Sequence, residues 1–304
     1  MTLSVTILGS GSALPVTGRH PSAQLISTGS STYLMDCGEG TQFRLRDLKL
    51  GFSKIKVICI SHLHGDHYYG LFGLLDSMAL SGRKEEIYIL APEGLRNLLV
   101  EFGRTTGMPP LFPIHFISTD GVIDRVQLYS DERISIEAFP LDHGIPCTGF
   151  LFRTFPGERK MKKEKLFEGM PYDAIRKLKA GVDVFDQHGQ LLYVVEDYTL
   201  EASPPLTYAY CSDTVYLPSL ATLIPHVDLL YHEATFGEEF ADKAQLRGHA
   251  TSRQAALIAK ASNAKKLLIG HFSSRYTEIE PLLKEAREIF PNTEYAQEGE
   301  TYYV

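Results

Sequence analysis

Apolar residues along this 304-residue chain fall into short runs rather than long ones. Residues 3–8, 23–27, 32–37 and 56–60 are β-branched or alternating segments closed by Gly, Ser or Pro, the pattern of strands. Two helical stretches follow. One covers 68–80 and is rich in Leu and Gly; the other covers 92–102, with Leu95, Leu98, Leu99 and Phe102 at helical spacing. Further strands are predicted over 87–90, 114–117, 134–139 and 150–153. A second round is cleaner: short buried-strand runs at 208–211, 229–232 and 266–269, with helices starting near Thr251 and Glu278. This alternation predicts one layered α/β domain over residues 1–304, with its functional loops at the carboxyl edge of the strands.

Composition narrows this little. Hydrophobic residues at 44% and charged residues at 22% describe an ordinary soluble globular protein. No apolar run approaches the roughly 18 residues of a membrane helix. The N-terminus has no basic head and no small-residue cleavage site and reads as a first strand, so a cytoplasmic protein is expected. The four cysteines (Cys37, Cys59, Cys147, Cys211) lie far apart without CxxC pairing, and three sit in apolar runs. Buried, reduced thiols follow, and metal binding through sulfur does not.

Charge changes the picture more. The net charge of −7 argues against a nucleic-acid partner until its distribution is read. Between Arg153 and Lys179 lie nine basic and four acidic residues, a net +5 that leaves −12 for the remainder. A basic island on an acidic body suits a polyanion-binding element. The compositional break over 153–199 reads as an insertion within the domain.

The strongest chemical signal is His62-x-His64-x-Asp66-His67, placed directly after the apolar run Val57-Ile58-Cys59-Ile60 and before a helical segment. Three imidazoles and a carboxylate within one turn suit first-row divalent metals, zinc above all. His62 and His64 can share one ion, and Asp66 with His67 can reach a second. Gly65 allows the bend between the two pairs. A dinuclear site needs more ligands. His143, Asp213 and His271 each follow a predicted strand, and Asp213 could bridge both ions. Glu233 with His232, after another strand, and His249, before a helix, could supply a general acid or orient ligands. His20, His115, His188 and His226 lack comparable context.

These residues resemble the metallo-β-lactamase superfamily and, within it, the RNase Z endonucleases that process tRNA 3′ ends. The metal loop alone identifies the superfamily. His232-Glu233-Ala234-Thr235, Gly248-His249-Ala250-Thr251 and Ser274-Arg275-Tyr276 after His271 carry the narrower match. The resemblance implies a four-layer αβ/βα sandwich with two Zn(2+) per subunit. One ion would be held by His62, His64, His143 and Asp213, the other by Asp66, His67, Asp213 and His271. It also implies Asp66 as catalytic base, with Glu233 and His249 assisting the leaving group. The products would be a 3′-hydroxyl on the tRNA and a 5′-phosphate on the trailer. A homodimer is implied as well. The basic insertion resembles the family's flexible tRNA-gripping arm, with Arg159, Lys160, Lys162, Lys163, Lys165, Arg176, Lys177 and Lys179 as candidate tRNA contacts. Where the family has a Gly-Pro step, this chain has Pro171-Tyr172-Asp173-Ala174. Another hydrolase on the same fold would share the metal loop without needing the basic insertion. A binding-only protein would be expected to have lost ligands.

Overall fold

The structure is a computed structural model that describes residues 2–107 and 112–304. The first half contributes strands β1 (Ser4–Gly9), β2 (Ala23–Thr28), β3 (Ser31–Met35), β4 (Ile55–Cys59), β5 (Ile87–Ala91) and β6 (Ile114–Ser118). Its helices are α1 (Thr41–Asp47), α2 (Gly65–Tyr68), α3 (Leu71–Leu80) and α4 (Glu93–Thr106). The second half begins with β7 (Val126–Ser130), β8 (Ile134–Asp142) and β9 (Pro146–Thr154). An excursion follows, built from β10 (Lys160–Met161), α5 (Tyr172–Lys179), β11 (Val184–Phe185), β12 (Leu191–Tyr193), α6 (Val195–Tyr198) and β13 (Thr199–Leu200). The chain then resumes with β14 (Thr207–Cys211), α7 (Leu220–Leu223), β15 (Leu229–Glu233), α8 (Ala241–Leu246), α9 (Ser252–Ala261), β16 (Lys266–Gly270), α10 (Glu280–Ile289), β17 (Thr293–Tyr295) and β18 (Thr301–Tyr303).

Among the described residues the large strands form two seven-stranded sheets, ordered β18-β1-β2-β3-β4-β5-β6 and β17-β16-β15-β14-β9-β8-β7. The sheets stack face to face. Val5, Ile7, Val57 and Cys59 from the first meet Ile136, Phe150, Tyr210 and Tyr231 from the second in one buried cluster. The alternate residues point outward. Leu8, Leu34 and Ile58 pack under α1, α3 and α4, while Leu151, Leu230 and Ile269 pack under α9 and α10. Four layers result. Strands buried on both faces explain the continuous apolar runs, which lack a polar alternate position. The fold is thus the αβ/βα sandwich expected of the metallo-β-lactamase superfamily.

Three sequence expectations need correction. The helix predicted over 68–80 is broken at Gly70, whose N–H donates to the Cys37 carbonyl at 2.9 Å while Cys37 N donates to His67 O at 2.7 Å. A side chain at Gly70 would collide with the Gly38 carbonyl, so the break ties the metal loop to the end of β3. Arg153 belongs to the body: it lies in β9, opposite Thr207 of β14, and its Nε is 3.5 Å from Glu137 Oε1. Finally, β7, β17 and β18 were not predicted. β7 is an exposed edge strand and the other two are three residues long, too little apolar pattern to read.

The excursion between β9 and β14 is a small folded unit. Its neck is closed by Thr154 N donating to Leu206 O and Gly157 N donating to Ser203 O. β10 pairs with β13 and β11 with β12. Met170, Ala174, Leu178, Val184 and Val195 form a core of its own. α5 starts directly after Pro171, so the segment that departs from the Gly-Pro pattern is the first turn of a helix. Among the described residues, no helix is long and apolar enough to cross a membrane.

Candidate metal centre

All the predicted ligands lie at carboxyl ends of strands or in the loops just beyond, and the structure brings them together. β4 delivers the chain to Ser61, whose N–H donates to Asp36 Oδ1 at 2.8 Å. The next residues turn into α2. His62 Nε2 and His143 Nε2 lie 3.1 and 3.0 Å from His64 Nδ1. His143, beyond β8, donates through Nδ1 to the Gly248 carbonyl at 2.6 Å, which fixes its tautomer. Gly248 is at φ +75, and a Cβ there would lie 2.8 Å from His143 Nδ1, so glycine is required. His67 Nε2 and His271 Nε2 form a second focus, 3.3 Å apart, with Asp66 Oδ2 at 3.5 and 3.4 Å.

Asp213, at the end of β14, stands between the two. Its Oδ2 is 3.6 Å from His62 Nε2 and 3.5 Å from His143 Nε2. Its Oδ1 is 3.5 Å from His67 Nε2 and 3.2 Å from His271 Nε2. One carboxylate therefore turns one oxygen to each focus.

The arrangement fits metal ions. The donor atoms of His62, His64, His143 and Asp213 lie within 4.8 Å of one another, as do those of Asp66, His67 and His271. Asp213 Oδ1 is buried without a hydrogen-bond partner among the described residues. Such an orphaned acceptor is costly unless a cation completes it. A donor set of neutral imidazole and carboxylate without thiolate matches first-row divalent ions.

The electrostatics divide the histidines. Burial and the neighbouring His67 hold His62 well below the usual imidazole range, and burial with His143 lowers His64, so both offer lone pairs. Burial would also lower His67, but Asp213 and Asp36 overcome it and hold it well above. Burial would raise the Asp66 and Asp213 carboxyls; the surrounding imidazoles, His271 foremost, hold both down.

One supporting residue escaped the sequence reading. Asp36 is fully buried just beyond β3, and its Oδ2 accepts from His67 Nδ1 at 2.7 Å, Tyr210 Oη at 2.7 Å and Ser61 Oγ at 3.0 Å. It sits at positive φ (54°), as does His271 (59°). Its strand-end placement is the signal that singled out the other ligands and could have found it.

The pair His232 and Glu233 separates. His232 faces the α9 side of its sheet, wholly buried, and donates to the Glu233 carbonyl at 2.7 Å. It is outside the donor groups. Glu233 is also buried, and its carboxylate accepts from Thr214 N, Thr235 N, Thr235 Oγ1, Ala250 N and His249 Nδ1, the last at 3.1 Å. It reaches the cleft through His249 and Thr235, both of which line it. Burial would lower the His249 pKa, but the Glu233 carboxylate raises it to about 9.

The centre floors an open cleft of ≈ 750 Å³ whose walls include Leu14, Tyr69, Phe236, Lys243, Arg247 and Ser274. The candidate tRNA contacts lie apart from it, in the small unit. Arg176 and Lys177 pair with Asp173, and Lys179 with Glu158. Arg159 donates to Thr199 Oγ1 and Lys162 to Glu196 O. Among the described residues Lys160, Lys163 and Lys165 are left outside such pairs, with Lys165 Nζ over the Tyr198 ring at 5.9 Å. The unit's second half adds Asp183, Asp186, Glu196, Asp197 and Glu201, so its basic character is confined to its first half.

Comparison with known proteins narrows the superfamily. A family model described as "Anti-Pycsar protein Apyc1" matches residues 3–107. That stretch is about the first third of the chain, β1 to α4, and includes the His62–His67 loop, which the superfamily shares. Over its whole length the chain is 41% identical to a ribonuclease Z of Cytophaga hutchinsonii, covering 100% of this chain and 97% of the relative. A ribonuclease Z of Parabacteroides distasonis is 40% identical, with 97% of each covered. Among solved structures, the short form of human tRNase Z superposes with a TM-score of 0.69 at 27% identity, covering 98% of both chains. The metallo-β-lactamase fold protein YhfI from Bacillus subtilis superposes at 0.70 with 18% identity, covering 100% of this chain and 99% of that one, a likeness of fold. Full-length identity near 40% with complete donor groups leaves one assignment: the chain belongs to the ribonuclease Z family.

Proposed function

We propose that this chain is an endoribonuclease that removes the 3′ trailer from precursor tRNA, using two zinc ions. The observation that carries the reading is Asp213, a buried carboxylate whose two oxygens face two separate histidine groups on the floor of one cleft. His62, His64, His143 and Asp213 would hold one ion; Asp66, His67, His271 and Asp213 the other. Such ions acidify water and draw charge from a phosphodiester. The rest is work for the chain's own side chains. Asp66, held by the Ala13 N–H at 2.7 Å, accepts the proton of the attacking water. His249 is anchored by Glu233 through Nδ1, which leaves Nε2 to protonate the departing 3′ oxygen. Asp36 keeps His67 in the tautomer whose Nε2 faces the site. Because water is the nucleophile, no 2′-hydroxyl is consumed, and the products are a tRNA 3′-hydroxyl and a trailer 5′-phosphate.

Specificity for tRNA would come from the folded unit between β9 and β14, through Arg159, Lys160, Lys162, Lys163, Lys165, Arg176, Lys177 and Lys179. Among the described residues Lys160, Lys163 and Lys165 lead because they stand outside both local ion pairs and side-chain hydrogen bonds. A homodimer and a cytoplasmic location belong to the same reading, and sedimentation tests the first. The deciding experiment is cleavage of a precursor tRNA with both new ends mapped, alongside elemental analysis for metal. A cut that leaves a 2′,3′-cyclic phosphate, or a purified active chain without metal, would refute the mechanism.

A further inference from the structure

Asp66 is held from outside the metal loop by a segment whose two ends meet on one distant carboxylate. Glu298 lies in the turn between β17 and β18, its side chain 9% exposed. Its Oε1 accepts from Ser10 N at 3.1 Å and from His20 N at 2.8 Å, and its Oε2 faces His20 Nδ1 at 2.6 Å. Ser10 and His20 are the two mouths of the loop 11–19. Arg44, 4.0 Å from Oε2, supplies the compensating charge and is itself held by donating to the Leu8 carbonyl. The loop's other flank is stitched to the residue after His271: Phe272 N donates to Ser10 O, and Ser12 N to Phe272 O.

Within this closed loop Ala13 adopts φ 46°, a left-handed conformation that a residue with a Cβ resists. Its N–H donates to Asp66 Oδ2 at 2.7 Å. Strain of this kind persists only where the surroundings over-determine it. Here the surroundings are the clamp at the loop's mouths, where Gly11 N also donates to His20 O, together with the bonds to Phe272 and those from Arg19 Nη2 to the Ser273 and Tyr276 carbonyls.

We propose that Glu298 is a positioning residue for Asp66, acting by closing the 11–19 loop so that the Ala13 N–H is presented to the Asp66 carboxylate. The proposal rests on the reading of Asp66 as part of the metal centre, and it adds a control on that centre from a turn near the far end of the sequence. Opening the clamp lets Ala13 relax to an unstrained backbone and withdraws its N–H. Asp66 then keeps its place in the chain but loses its orientation.

The test compares Glu298→Ala with Glu298→Gln, which retains an oxygen for the two backbone donors and an amide that can donate to His20 Nδ1. Deuterium exchange over residues 10–20 should rise in Glu298→Ala and stay at the parent level in Glu298→Gln. With a small chromogenic phosphodiester, kcat of Glu298→Ala should fall about 10-fold or more with KM nearly unchanged, the signature of lost orientation. Glu298→Gln should restore it. Unchanged exchange in Glu298→Ala, equal kcat losses in both variants, or a rise in KM alone would overturn the proposal. If Glu298→Ala does not fold, Glu298→Asp, whose carboxylate is one methylene short of the Ser10 and His20 N–H groups, opens the clamp more mildly and is read the same way. If the parent hydrolyses neither RNA nor the small ester, the proposed function fails. The exchange comparison then still decides whether the clamp holds.

Discussion

At the scale of single residues, the centre is organised by two carboxylates with different duties. Asp213 turns one oxygen to each histidine group, so Asp213→Ala should strip both ions, with metal content falling toward zero. Asp66→Ala borders only the second group and should retain metal at the first, while losing activity on RNA and on a small phosphodiester alike. An active Asp66→Ala enzyme would contradict its proposed role as proton acceptor. Asp36 is fully buried and holds His67 through Nδ1. Removing such a partner characteristically weakens metal affinity by about 10–100-fold, so Asp36→Ala should bind zinc more weakly in a competition titration with a chelator. The proposed ligands were legible in the sequence because each is a His or Asp placed where an apolar run stops. Asp36 obeys the same rule. The sequence reading gave it no role. His232 also obeys the rule, yet the one-residue alternation of β15 turns it to the helix-covered face, and that parity is set by sheet pairing.

At the scale of elements, the unit between β9 and β14 is the separable part. Thr154 and Leu206 are hydrogen-bonded across its neck, so residues 155–205 can be replaced by a short turn without disturbing either strand. The excised protein should keep its melting temperature and its activity on a small phosphodiester while losing precursor-tRNA cleavage. Full RNA cleavage after excision would assign recognition elsewhere. Lys160, Lys163 and Lys165 replaced together by Ala should lower the slope of log affinity against log salt by about 3 if each meets a phosphate. The basic composition of the segment was readable; its extent was not. The sequence boundary at Arg153 followed charge, whereas the structural boundary follows hydrogen bonding, and the acidic second half lies beyond the last lysine. The strands β4, β14, β15 and β16 were readable because both faces are buried. β7 and β18, short and exposed, hold their places through pairing that no local pattern announces.

At the scale of the whole molecule, the candidate metal centre spans the seam between the sheets. His62, His64, Asp66 and His67 come from the first sheet, and His143, Asp213 and His271 from the second. Ions bound across such a seam stabilise the stacked state against separation. An ion at 100 times its Kd contributes about 2.7 kcal/mol, so a strong chelator should lower the melting temperature by several degrees. A melting curve indifferent to chelation would place the ions off the seam. The core between the sheets should be at least as sensitive. Phe150→Ala, emptying a fully buried ring site, should cost about 3–5 kcal/mol in a denaturant titration.

The pairing of β18 with β1 has a consequence for biosynthesis. Ser4, Val5 and Thr6 are partnered by Tyr303, Tyr302 and Thr301, so a nascent chain carries β1 with one flank bare until residues 7–300 have been translated. A bare strand flank is a template for pairing with other chains. The interval between the first strand and its last neighbour is therefore the period of greatest hazard for aggregation. Chains ending at Glu300 should remain in that condition, and light scattering after refolding should show them clustering where the full chain stays dispersed.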